Sequence, residues 1–318
     1  MWLQMRMYLL VGLMFGIVYA VIVGVGNAMG IGGLLPYLIL AGFLLLLQYM
    51  MSPAIVGWSM KVHYVSEKES PELHRMVAEL AQEARIPKPK VGISELAIPN
   101  AFAFGRSQKD ARVCVTRGIM NLLNKDELRA VLAHEVSHIK HRDMAIITIL
   151  SVVPMILWYI AWGTMWSSYG NRRGNNTAMI GLAALVLYFI SNLLVLWGSR
   201  IREYYADQGA VKLGAEPHHL ASALYRLVYG SARLPKETLK QAEGFKAFFV
   251  NDPSNSWNEI RNLKQIDRDM SGTIDYDELA AIRGKAVRVG SADKLMELMS
   301  THPNMLNRIK HLSSLMFK

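Results

Sequence analysis

Apolar and polar positions divide the chain into four long apolar blocks separated by stretches of amphipathic pattern. The blocks run from about 7 to 26, 34 to 60, 144 to 166 and 179 to 197, and each is long enough to cross a bilayer as a helix. The charge-free turn GNAMGIGG joins the first two, which predicts a transmembrane hairpin; the last two predict another. The first block is too long for the apolar core of a signal peptide, and no clean small-residue cleavage site follows it. Pro154 stands inside the third block and predicts a kink there.

Between the hairpins the period changes. SPELHRMVAELAQEARI places Leu73, Met76, Val77, Leu80 and Ala81 at helical spacing, an amphipathic helix with a Ser start. PKPKVGISELAIPNAFAFG alternates as strands broken by prolines, and ARVCVTRGIM continues as another. KDELRAVLAHEVSHIKHRD, residues 125 to 143, reads as one helix, and SRIREYYADQGAVKL, 199 to 213, as a helix leaving the fourth block. The expected organisation is a hairpin (1–60), a first soluble half (61–143), a second hairpin (144–198) and a second soluble half (199–318) with an insert at 255–285. The fold class is a mainly α membrane protein with four transmembrane helices as two hairpins and an α+β soluble domain.

Composition sharpens this picture. Of 318 residues 52% are hydrophobic and only 19% charged, with the apolar excess gathered in the blocks. The formal net charge of +10 is scattered, without a basic stripe interleaved with aromatics, so nucleic acid is not an expected partner. A soluble domain beside an anionic lipid surface accounts for it. Lys61, Lys68 and Arg75 follow the first hairpin; Lys125, Arg129, Lys140 and Arg142 precede the second, and Arg200 and Arg202 follow it. Arg172 and Arg173 in the intervening loop oppose that bias mildly. The balance predicts a four-pass plasma-membrane protein with the soluble domain and both termini cytoplasmic. The single cysteine, Cys114 in RVCVT, excludes an internal disulfide and a cysteine metal site.

The chemistry centres on H-E-V-S-H. His134 and His138 are four apart on a helix, so both imidazoles can reach one metal ion, and Glu135 is placed as general base on a metal-activated water, the zincin arrangement. Apolar Val131, Leu132, Ala133 and Val136 surround the motif, which argues against a freely solvated face. A catalytic zinc takes three protein ligands. Glu203 supplies a third, and Asp207, one turn on, can orient a ligand histidine. Taken alone, that pair also reads as a charged helix end beside the membrane. The position ten after His134, where a metzincin carries its third histidine, is Met144, and His141 has turned off the ligand face. Asn100, Ala101 and Phe102 lie on a strand that either pairs with an extended peptide substrate or is an ordinary hairpin strand.

A second motif is local. Asp267 to Glu278, DRDMSGTIDYDE, fits the twelve-residue EF-hand loop. Asp267, Asp269 and Ser271 stand at positions one, three and five, Gly272 at the sharp turn, and Thr273 offers its carbonyl at seven. Asp275 stands at nine and Glu278 at twelve, with apolar Ile274 at eight and helical flanks SWNEIRNLKQI and LAAIRGK. Calcium is the ion expected of this pattern, with the choice between calcium and magnesium left open; a solvated hairpin that keeps its shape without an ion is the blander reading, since a single loop without its usual partner is visible.

H-E-V-S-H preceded by L-R-A-V-L-A, then a hydrophobic hairpin, then S-R-I-R-E-Y-Y-A-D, resembles the HtpX-type membrane zinc peptidases, relatives of the larger CAAX-prenyl peptidases in the gluzincin clan. The resemblance covers roughly residues 1 to 250 and the C-terminus, and does not extend to the EF-hand-like insert. It implies zinc on His134, His138 and Glu203, with Glu135 as catalytic base in a zincin-like catalytic domain. It also implies that Asn100 to Phe102 line the substrate cleft and that His302, in T-H-P, lies near the active site as an oxyanion stabiliser. Protein or peptide substrates in membrane-protein quality control follow from the same resemblance, with a homo-oligomer left open. Two alternatives stand: a peptidase for prenylated C-termini, disfavoured by four spans, and a calcium-responsive scaffold that does no chemistry.

Overall fold

The computed structural model describes residues 50–51, 53–168, 175–235, 237–238, 256–263, 265–283 and 290–316. The first hairpin, apart from a helical stretch at 53–59, and the loop bearing Arg172 and Arg173 lie outside them. The molecule is mostly helical with one small sheet. It divides into two compact units, Met1–Met51 with Ala145–Ile201, and Ser52–Met144 with Arg202–Lys318.

The second unit is built on a four-stranded sheet: β1 (Val62–Tyr64), β2 (Lys90–Ser94), β3 (Ala101–Phe104) and β4 (Arg112–Thr116), in spatial order β1-β2-β4-β3. β2 and β4 run parallel, with Gly92 opposite Cys114, while β1 and β3 are antiparallel edges. Strand alternation sends Val91, Ile93, Ala101, Val113 and Val115 into the main core and Phe102, Phe104 and Cys114 into a second cluster with Met60 and Ile98. Burial pushes the Cys114 thiol up to about 12, an inert packing residue.

Helix α1 (Pro71–Ala84) follows Ser70 with proline in its first turn and buries the apolar stripe expected of it, Leu73, Met76, Val77, Leu80 and Ala81. After β4 and the short α2 (Arg117–Leu122) comes α3 (Lys125–Lys140), the helix of the H-E-V-S-H motif. Asn124 caps α3 reciprocally: Asn124 Oδ1 accepts from the Glu127 amide at 2.9 Å, and Glu127 Oε2 accepts from the Asn124 amide at 3.0 Å. Glu127 also takes Ser222 Oγ and Arg226 Nη1, each at 2.7 Å, from α6 (Pro217–Ala232). The start of α3 is thus pinned by side chains almost a hundred residues away. The expected helix over 125 to 143 is broken: α3 ends at Lys140, and Arg142 is left-handed at φ 57° before α4 (Asp143–Ser168) begins. That backbone costs a non-glycine residue about 1 kcal/mol.

α4 and α5 (Asn175–Lys212), of which 145–168 and 175–201 belong to the first unit, are the two described helices long and apolar enough to cross a membrane, over Asp143–Trp162 and Ala178–Lys212. Leu150, Val153 and Leu157 of α4 pack with Leu187, Leu194 and Val195 of α5, while Trp158, Tyr159, Leu182, Val186 and Phe189 project outward, as lipid-facing side chains do. Pro154 lies within α4.

The chain closes the second unit with α7 (Ser256–Leu263), α8 (Tyr276–Ile282), α9 (Ser291–Leu298) and α10 (Met305–Ser313). α7, α8 and α10 all pack on α6, with Leu263, Ile274, Leu279, Ile282, Leu306 and Ile309 joining the main core. The insert predicted from the EF-hand pattern is therefore anchored on the second unit, α7 entering and α8 leaving its loop.

Candidate active site

Four segments far apart in sequence meet at the C-terminal half of α3. His134 and His138 turn their Nε2 atoms to within 3.1 Å of each other. Glu203 comes in from α5, its Oε2 3.5 Å from His134 Nε2 and its Oε1 3.5 Å from His138 Nε2. A tetrahedral centre with bonds of about 2.0–2.1 Å holds its ligands about 3.3–3.4 Å apart. Two imidazole nitrogens 3.1 Å apart, each 3.5 Å from one oxygen of the same carboxylate, therefore suit one small divalent ion such as zinc.

The remote nitrogens are also engaged, as ligand histidines require. His134 Nδ1 lies 2.9 Å from Asp207 Oδ1, and His138 Nδ1 lies 2.6 Å from Asp143 Oδ2. α5 reaches α3 this closely because residue 209 is glycine: a Cβ there would collide with the Ser137 side chain. Glu203 and Asp207 sit one turn apart on the same stretch, so one close helix crossing delivers both.

Glu135, next to His134, is buried against β3, and the Ala103 amide donates to its carboxylate. Burial lifts its carboxyl above the usual carboxylate range, against the lowering effect of His138 and His134. A carboxyl held above its ordinary range is a stronger proton acceptor than an exposed one. β3 is an edge of the sheet, with Phe102 and Asn100 buried and Ala103 half-exposed. Asn100, Ala101 and Phe102 thus stand at the sheet edge that abuts the Glu135 helix. His302, just ahead of α10, brings Nδ1 to 3.5 Å from Glu203 Oε1, so it too belongs to the pocket.

Two members of the pocket are absent from the sequence reading. Arg308 of α10 is 0% exposed and forms a fork on Asp207, Nε to Oδ2 at 3.0 Å and Nη2 to Oδ1 at 2.6 Å, with Nη1 3.0 Å from Glu203 Oε2. It offsets the negative charge that two buried carboxylates bring together. The signal for it was present: Met305, Ile309 and Leu312 define the buried stripe of α10, and Arg308 falls inside that stripe. Asp143 is the other, invisible because the reading ran α3 straight through the break that folds it back.

The carboxylates of the EF-hand-like loop form a second group. Oxygens of Asp267, Asp269 and Glu278 lie within 4.8 Å of one another. Asp267 accepts the Ser271 and Gly272 amides, each at 3.1 Å, and the Tyr225 hydroxyl of α6 at 2.6 Å. Gly272 is left-handed at φ 79°, as the sharp turn demands, and Ile274 is buried in the core. Asp275 caps α8, accepting the Glu278 amide at 2.7 Å, while Ser271 Oγ and Thr273 Oγ1 face each other at 3.0 Å. Of the acidic residues expected around an ion, Asp267, Asp269 and Glu278 converge, while Asp275 caps α8.

An HExxH helix, a carboxylate donor from a second helix and two apolar helices of membrane length define the class: a membrane-associated peptidase of the metal-dependent kind. The model of Peptidase family M48 matches residues 67–316. A protease HtpX homolog of Methanothermobacter thermautotrophicus is 57% identical over 226 residues, 71% of this chain and 86% of that relative. One from Moorella thermoacetica is 36% identical over 284 residues, 87% of this chain and 83% of that relative. The crystal structure of S. mikatae Ste24p shares the fold at a TM-score of 0.54 and 16% identity, over 97% of this chain and 65% of that one. The chain belongs to peptidase family M48, as a membrane protease of the HtpX type.

Proposed function

We propose that the protein is a zinc-dependent endopeptidase that cleaves unfolded or membrane proteins at the cytoplasmic face of the plasma membrane, in protein quality control. The observation that carries this reading is the buried His134–His138–Glu203 set, with donor atoms 3.1–3.5 Å apart and Glu135 beside it. When bound there, zinc supplies Lewis acidity and lowers the pKa of a water toward about 7. Glu135 takes the proton of the attacking water and returns it to the leaving amine. His302 donates to the oxyanion of the tetrahedral intermediate. The β3 edge at Asn100 to Phe102 pairs with the extended substrate backbone and fixes the scissile bond beside Glu135. Asp207 holds His134 in the tautomer that leaves Nε2 free.

The proposed topology is four spans in two hairpins, 1–60 and 144–198, with the catalytic halves 61–143 and 199–318 and both termini cytoplasmic. The scatter of positive charge around the spans supports that orientation. The loop at 267–278 takes calcium, which orders the insert; its convergent Asp267, Asp269 and Glu278 oxygens support this. The test is cleavage of unfolded casein by the detergent-purified protein, wild type beside Glu135→Gln, each chelated and then given zinc, with and without calcium. Zinc-restored cleavage in the wild type, lost in a variant that still binds zinc, is expected. Full activity in Glu135→Gln would sink the assignment. Cleavage confined to a prenylated peptide would instead move the substrate class to lipidated C-termini.

A further inference from the structure

The two histidines of the pocket are held in parallel ways by different parts of the chain. His134 leans on Asp207, and Asp207 is gripped by Arg308. His138 leans on Asp143 at 2.6 Å, and Arg202 Nε lies 3.1 Å from the other oxygen of Asp143. Asp143 is 2% exposed and Arg202 8%. A carboxylate buried this deeply is costly unless a cation or hydrogen bonds accompany it. The backbone departs from the regular helix to create the contact. Arg142 adopts φ 57°, a conformation unfavourable for a residue with a side chain, and the turn it makes returns Asp143 onto His138. On α5, Arg202 and Glu203 are neighbours, one directed to Asp143 and the other to the histidine pair.

We propose that Asp143 is the positioning residue of His138, and that Arg202 holds Asp143 in place, forming a brace between the α3–α4 break and α5. This inference rests on the zinc reading of the pocket. Asp143 accepts the Nδ1 proton of His138, fixing the tautomer that presents Nε2, and its charge makes that ring a stronger donor. Arg202 keeps the buried carboxylate aimed. Because Arg202 precedes Glu203 directly, the same segment of α5 sets the third ligand and the support of the second. The brace and the Asp207–Arg308 pair then orient the two imidazoles independently.

The test uses the full-length protein in detergent. Zinc affinity is measured by competition with a chromophoric chelator, metal-free melting is followed in parallel, and the visible spectrum is recorded with cobalt(II) in place of zinc. Asp143→Asn keeps the shape and removes the charge; it is expected to weaken zinc about 10–100-fold and to alter the cobalt spectrum, alongside a fall in metal-free melting because the buried Arg202 loses its counter-ion. Should that variant not fold, Asp143→Asn/Arg202→Gln, neutral on both sides, takes its place with the same expectation for zinc and cobalt. Wild-type zinc affinity and an unchanged cobalt spectrum in the folded variant would overturn the brace. His138→Ala is the control: if it too binds zinc as the wild type does, the zinc reading has failed rather than the brace.

Discussion

The two groups of ligand-type side chains in this protein are built by opposite strategies. The loop at 267–278 draws its carboxylates from twelve consecutive residues, and backbone amides of the same loop hold Asp267 and Asp269. The pocket draws His134 from α3, Glu203 from α5, His302 from the loop before α10 and Arg308 from α10, and side chains from other segments hold each of them. Local assembly gives a group that half faces water, Asp269 exposed while Asp267 and Glu278 are buried. Long-range assembly gives Asp207 and Arg308 at 0% exposure. A local loop can adapt to its ion, whereas a pocket at a helix crossing is pre-organised and has little freedom to relax. Damage to the pocket should therefore spread to fold and chemistry together, and damage to the loop should stay in the loop.

The largest effect expected is from Arg308→Met, which leaves Asp207 and Glu203 buried without their cation. A loss of about 3–5 kcal/mol in stability, with loss of zinc binding, is expected in denaturant melts; wild-type stability would show that the pocket is less tightly coupled than its geometry says. Gly209→Ala, which collides with Ser137, should cost about 1–3 kcal/mol and lower zinc affinity by moving Glu203 and Asp207 together. Glu278→Gln tests the other side of the comparison. It should abolish the calcium-dependent gain in stability, about 2.7 kcal/mol at a hundredfold excess over Kd and read as a rise in melting temperature, while zinc affinity is unchanged. Unchanged melting and proteolysis with calcium present would remove the ion from the loop; loss of zinc would show the two regions are not separate.

The smallest effect is expected at Asp110, a local carboxylate at the sheet's rim. Its hydrogen bond from Arg106, against the effect of burial and with help from Arg112, holds it down at about 2. A depressed acid contributes stability above its unfolded pKa of about 3.9 and loses it as pH falls through the folded value. Acid melts should therefore show wild type and Asp110→Asn converging between about pH 4 and pH 2, with a gap under about 1 kcal/mol above that, because Arg106 is partly solvated.

How much of this was legible in the sequence depended on reach. The loop could be read residue by residue, since spacing within twelve positions is nearly a structure in itself. The His134–Glu135–His138 face followed from the helical period, and Glu203 and Asp207 from their own spacing once a third ligand was sought. Arg308 was missed because a buried arginine is recognisable only with its partners, which lie 101 residues away in Asp207. Asp143 was missed because a helix read straight through Arg142 carries the carboxylate away from His138, and a single left-handed residue reverses that.

By itself, then, the sequence determined the apolar blocks, the amphipathic helices, the ligand types and their local registers, because these depend on periods of two and 3.6 and on side-chain chemistry. Tertiary structure alone decided which carboxylate serves which histidine, how closely α5 may approach Ser137 at Gly209, and where the charge of Arg308 is placed. Those outcomes rest on contacts between segments that no local period relates, and on burial, which makes an unpaired charge costly enough to select a single arrangement.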